Sequence, residues 1–255
     1  MKGIFAIARA MVLELIRKKD IYLLLVFMLA LMWFLASRTF FNIEGASRYV
    51  KDLGYSLTMF FSFIVAVTFG ARQVPAEIEA RTVYPLLAKP IGPHHIVIGK
   101  FAGTFFVSAV SFTAFFVMFS LFCLPWGGSD AVLLCQAYIA GLLFLLTVSG
   151  MVIFLSTFLT VSASVSLMVI FYLASGAVAD WLNEAAFFSK GVVSYAAGIL
   201  FYLVPHLEFF DMRVRLTHSW DPLSAQVMGL LAAYTLLCVV FFIFFSGNIF
   251  SRKKL

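Results

Sequence analysis

Charge is what this chain has least of. Only 12% of its 255 residues are Asp, Glu, Lys or Arg, against roughly 25% in an average soluble domain. The balance is hydrocarbon: 63% of the residues are hydrophobic and thirty-one are Phe. No water-facing fold needs that composition, so the chain falls in the membrane class. Its long apolar runs hold no Asp, Glu, Lys, Arg or His, apart from Asp180 at the edge of one. Ion-coupled transporters, proton pumps and voltage sensors carry ionisable groups at depth, because those groups handle the ion or the field. Intramembrane proteases and metal transporters need carboxylates, His or a nucleophile–base pair there. The absence argues against all of these. Cysteine is scarce too: Cys123, Cys135 and Cys238 show no metal-ligand spacing. An outer-side Cys123–Cys135 disulfide stays open, with buried free thiols as the default.

What is present is six apolar runs, at 21–37, 53–71, 101–124, 131–159, 165–180 and 224–247. A helix needs about 20 apolar residues to cross a bilayer, and these runs reach or approach that length. They are continuous and lack the alternation of barrel strands. The expected fold is an all-α polytopic membrane protein with six transmembrane helices. Residues 1–20 do not read as a cleavable signal, since they carry five Lys/Arg and no small-residue cleavage site follows. Ile4, Phe5, Ala8, Met11, Val12, Leu15 and Ile16 form one helical stripe, with Arg9, Glu14, Arg17 and Lys18 off it. That pattern predicts an amphipathic helix lying in the membrane interface.

Lys and Arg placement sets the expected orientation. With the N-terminus inside, the cytoplasmic pieces 1–20, 72–100, 160–164 and 248–255 hold twelve Lys/Arg, and the outer pieces 38–52, 125–130 and 181–223 hold six. Both termini are then cytoplasmic. The stretch 185–204 is the one ambiguity, because its length would allow a seventh span. Lys190 interrupts it, and a lysine at the bilayer centre costs about 2.5–3.5 kcal/mol on insertion scales. A re-entrant or interfacial hairpin on the outer side, within 181–223, is preferred.

Between the second and third runs stands "EIEARTVYPLLAKPIGPHHIVIGK" (77–100), polar beyond what a loop requires. It is no phosphate loop. Six residues separate Gly92 from Gly99, and Phe101 stands where the Mg²⁺-binding hydroxyl belongs. His94 and His95 point about 100° apart on a helix and cannot easily chelate one ion. Pro75 suits a helix start, with Glu77 and Glu79 at its positive end. Pro85 ends or kinks that helix. Pro93 starts the next, running through Gly99 and Lys100 into the third span. Charges around an exposed Leu86–Leu87 pair suit docking to a soluble partner with a groove. On the outer side His206, Glu208, Asp211 and His218 are a loose set of possible ligands, which a solvated loop explains equally well.

At these residues the chain resembles the membrane subunits of ABC transporters of the ABC-2 class. The matching positions are Glu77, Glu79, Thr82, Leu86, Leu87, Lys89, Pro90, Ile91, Gly99 and Lys100, with Arg81 where the family usually has Gly. An amphipathic opening helix, six spans and a hydrophobic hairpin before the last are similar as well. "PHLEFFDMR" (205–213) resembles a Pro-x-Leu-Glu-x-Phe pattern near that hairpin.

The resemblance implies a permease subunit, paired with an identical or related second permease. Separate ATP-binding cassette ATPase subunits would hold the ATP and Mg²⁺. Glu77, Glu79, Arg81, Thr82, Leu86, Leu87, Lys89 and Pro90 would dock the ATPase as a coupling helix, and the 1–20 helix with Arg9, Glu14, Arg17 and Lys18 would brace that interface. The chain itself would be no enzyme and bind no cofactor, metal or nucleic acid. It would sit among lipids in a bacterial or archaeal cytoplasmic membrane. The leading expectation is ATP-driven export. The alternatives are a mechanotransmitter that assists maturation of an exported protein, with a periplasmic partner on 181–223, and a non-transporting scaffold.

Overall fold

Long apolar stretches without internal proline become long helices, because a helix satisfies its own backbone groups where no water is at hand. The computed structural model describes residues 20–37, 46–75, 93–124, 130–188 and 192–252, and all regular elements among them are helical. In chain order they are α1 (Asp20–Ser37), α2 (Ala46–Arg72), α3 (Pro93–Cys123), α4 (Ala131–Ser156), α5 (Val161–Phe188) and α6 (Val192–Leu203). A 3₁₀ turn (Leu207–Phe210), the short α7 (Arg213–His218) and α8 (Ala225–Arg252) follow. Residues 1–19, with Arg9, Glu14, Arg17 and Lys18, lie outside the described residues. So do residues 76–92, which hold every expected ATPase-docking residue from Glu77 to Pro90.

Among the described residues five helices are long and apolar enough to cross a membrane: Arg48–Arg72, His94–Cys123, Ala131–Ser156, Val161–Phe188 and Ala225–Ser251. The protein is a multi-pass helical membrane protein. α1, over the first predicted run, is 18 residues long, about 27 Å at 1.5 Å per residue. Pro93 opens α3, where its missing N–H costs nothing. α5 continues past the expected end of its span to Phe188, since "WLNEAAFF" contains no breaker.

Within the most apolar windows of α2 and α4, 67% is buried, against 17% in α5 and 22% in α8. α2 and α4 therefore form the centre, with α3 beside them, and α5 and α8 present most of their surface outward. Small residues let the central helices approach. A Cβ built on Gly70 of α2 would lie 2.3 Å from Val152 Cγ1 of α4, and one on Gly141 of α4 would lie 2.2 Å from Phe112 Cζ of α3. Large side chains fill the rest: Tyr55, Phe63, Phe112, Phe115, Phe119 and Phe144 are fully buried.

The bundle has two ends. At one, buried Lys100 of α3 donates through Nζ to the carbonyl oxygen of Gln73, just beyond the C-terminus of α2. A cation there meets the negative end of the α2 dipole. At this same end a Cβ on Gly247 of α8 would lie 2.1 Å from His94 Nδ1 of α3, so the ring rests against bare helix backbone. The other end, marked by Asp52, collects the start of α2 and α4, the end of α3 and the return segment before α8. There α6 folds back along α5, with Ser194 Oγ donating to Ala186 O at 2.6 Å.

The tight α2–α4 approach gives a direct test. Val152 is fully buried and β-branched, so it cannot swing aside. Gly70→Ala should destabilise the protein by about 1–3 kcal/mol, read as a lower thermal unfolding midpoint in detergent. Gly229→Ala, with nothing within 4 Å, should leave the midpoint unchanged or raise it.

A candidate ligand cavity beneath a return segment

The polar residues that the helices lack are brought into the bundle by a segment that is mostly not helix. Residues 204–224 contain only the 3₁₀ turn and the six-residue α7. Irregular backbone among apolar helices persists only where protein buries it or a wet cavity receives it. The segment lies at the Asp52 end of the bundle, where Glu208, Asp211 and Arg213 are exposed. Leu207, Phe210, Met212 and Leu216 are buried and serve as apolar anchors. Phe210 reaches Phe144 with ring centroids 6.2 Å apart, and Phe144 is midway along α4. Phe144 also meets Tyr172 of α5 at 6.0 Å, and Tyr172 stacks on Phe63 of α2 at 4.4 Å.

The segment's backbone is held by side chains of the spans. Gln136 of α4 donates through Nε2 to Leu223 O and accepts from Leu223 N–H, each at 2.8 Å. The N–H of His206 donates to Tyr234 Oη of α8 at 2.8 Å. Ser219, with φ 50°, closes α7 in the left-handed conformation, and Trp220 N–H returns to Arg215 O at 3.1 Å. Such αL closures satisfy carbonyls at a helix end.

Below this segment lies a cavity of about 210 Å³. Its polar lining is Tyr55 and Ser56 of α2, Tyr172 and Ser175 of α5, and Glu208, Asp211 and Arg213 of the segment. Met59, Phe144 and Leu207 supply the apolar wall. Arg213 sits between two carboxylates: its Nε is 3.4 Å from Asp52 Oδ1 and 3.7 Å from Asp211 Oδ2. Asp211 Oδ1 also accepts from Arg213 N–H at 2.8 Å. A second groove, of about 440 Å³, shares Arg213 and is lined by Arg48, Tyr49, Asp52, Val214, Thr217 and His218. The ion triad thus separates an inner cavity from an outer groove and ties the segment to α2.

The loose ligand set of the sequence does not assemble. Among the described residues no group of three or more His, Cys, Asp and Glu is placed to hold a metal ion. Glu208 and Asp211 share the cavity, but His206 is buried, its ring stacked on Phe209 at 5.0 Å, and His218 lies against Trp220 at 5.8 Å. Cys123 is buried and Cys135 exposed, both as free thiols. Asp52, Arg213, Tyr55 and Tyr172 were not singled out from sequence. The available signal was the charge-dense "PHLEFFDMR" between apolar stretches, whose partners on α2 and α5 are far off in the chain.

The Gln136 clamp makes a prediction. Gln136→Leu removes both partners of the Leu223 peptide groups, at about 1–3 kcal/mol for each buried group left unpaired. Hydrogen exchange at the Leu223 amide should then accelerate, with amides in the middle of α4 unaffected.

No protein-family model matches the chain, and no curated protein matches it.

Proposed function

We propose that this chain is a membrane subunit of an ATP-driven transporter of the ABC-2 class, coupling hydrolysis on separate ATPase subunits to movement of a substrate, by preference outward, across the cytoplasmic membrane. Six spans, with α1 as the first, a second permease subunit and cytoplasmic termini belong to this reading.

The observation that carries it is the junction at the Lys100 end. The polar connector 76–92 leaves at the end of α2 and re-enters at Pro93 of α3, and Lys100 bonds to Gln73 across those two helices. A force on the connector would act on a joined pair at the bundle's centre, as a coupling element requires. The connector's own sequence supports the same reading: Glu77, Glu79, Arg81 and Lys89 flank the apolar pair Leu86 and Leu87 along the chain. The apolar runs 21–37, 53–71, 101–124, 131–159 and 224–247 hold no carboxylate or histidine, which also supports an outside source of energy, because groups that couple an ion gradient lie at depth.

The test is affinity purification from native membranes in mild detergent, with ATPase activity assayed on what co-purifies. The wild-type chain should bring down an ATPase. The double variant Glu77→Lys, Glu79→Lys should lose it, since two attractive charges become repulsive at a docked surface. An ATPase retained by the double variant would refute the assigned docking role, and none with the wild type would refute the transporter reading.

A further inference from the structure

The geometry points to the inner cavity as a binding site for the ammonium group of an amphipathic, amine-bearing ligand. If the transporter reading holds, this ligand is the substrate, and only that word rests on the reading.

The argument is a count of donors and acceptors. Ser56 Oγ donates to Asp52 O at 2.7 Å and Ser175 Oγ to Tyr172 O at 3.1 Å. Each hydroxyl has one proton, so both turn only lone pairs toward the cavity. Tyr55 Oη is directed at Ala137 O, 3.5 Å away, a longer and weaker contact than either serine bond. Glu208, as a carboxylate, accepts only. Arg213, the one cation in the lining, is engaged through its Nε by Asp52 and Asp211. The lining thus keeps donors in the Tyr172 hydroxyl and the outer N–H groups of Arg213. Its two carboxylates, with Asp52 beside Arg213, nonetheless outnumber one guanidinium, a surplus that suits a cation carrying several N–H groups over a carboxylate or phosphate.

Charge and shape agree. The triad of Asp52, Arg213 and Asp211 carries one net negative charge, and Glu208 adds a second without an ion-pair partner among the described residues. Gly176 of α5 lets that carboxylate lie close, since a Cβ there would sit 3.3 Å from Glu208 Oε1. Tyr55, Phe144 and Tyr172 line the same space, and aromatic faces attract cations. The volume of about 210 Å³ exceeds the roughly 150 Å³ cavity that accepts benzene, so an ammonium with its first carbons fits. Met59, Phe144 and Leu207 offer those carbons an apolar wall.

The experiment uses the full chain in phosphatidylcholine nanodiscs, titrated calorimetrically with hexylammonium, and with hexanol and hexanoate as comparators. Hexylammonium should bind saturably, and neither comparator should. Glu208→Gln should weaken binding about tenfold or more, the loss expected for a charge-assisted hydrogen bond. Glu184→Gln, exposed elsewhere on α5, should stay within about twofold. Hexanol binding as tightly as hexylammonium would overturn the proposal, as would unchanged affinity in Glu208→Gln or displacement by potassium at equal concentration. Should Glu208→Gln not fold, the comparison of the three ligands on the wild type decides the matter. No ATPase is needed, so failure here leaves the transporter reading standing, and failure to capture an ATPase leaves the cavity standing.

Discussion

An apolar surrounding penalises every polar group without a partner, and most of this structure follows from that constraint. Backbone groups are satisfied by making the spans helical throughout. Many hydroxyls within the spans are satisfied locally, although those of Thr104, Ser149, Ser164 and Ser246 are buried without a hydrogen-bond partner among the described residues. Thr58, Ser62, Ser108, Ser111, Thr113 and Thr235 each donate to the carbonyl four residues back. Such back-bonding removes the hydroxyls as free donors and leaves helix packing to glycines and aromatic rings. The Ser- and Thr-rich look of the spans is therefore no sign of a hydrophilic path.

The same constraint pushes the remaining polarity to the bundle's two ends, where it takes different forms. At the Lys100 end, one lysine at the C-terminus of α2 joins two helices. At the Asp52 end, the return segment sets exposed carboxylates and a guanidinium at the lining of a cavity, anchored by Phe210 and held by Gln136 and Tyr234. α2 connects the two, carrying Asp52 near its start and ending one residue before Gln73. An axial shift of α2 would be felt at both ends. That link fits a machine in which hydrolysis on one side changes a site on the other.

Sequence legibility divided along the same line. The helical class, five of the six span positions and the helix start at Pro93 were readable because continuous apolar runs and proline act locally. The Gly99–Lys100 pair was noticed as part of a motif, but its work as a cap on α2 was not, because Gln73 lies 27 residues upstream. Gln136 was seen as one of the few polar residues in a span. Its double bond to Leu223 joins positions 87 residues apart, and no periodicity reports such a pairing. The return segment was flagged by its density of charge, yet it read equally well as a solvated loop.

By itself, then, the sequence determined that the chain lives in hydrocarbon, that its apolar runs are helices, and that those runs hold no Asp, Glu, Lys, Arg or His apart from Asp180 at an edge. Those properties depend on composition and on spacings of a few residues. Only the tertiary structure decided that Asp52 meets Arg213, that Glu208 lies against Gly176, and that Tyr55 and Tyr172 wall one cavity. Such meetings depend on which helix faces pack, and packing is set by the joint fit of Gly70, Gly141 and the Phe-rich faces around them rather than by any one stretch of chain.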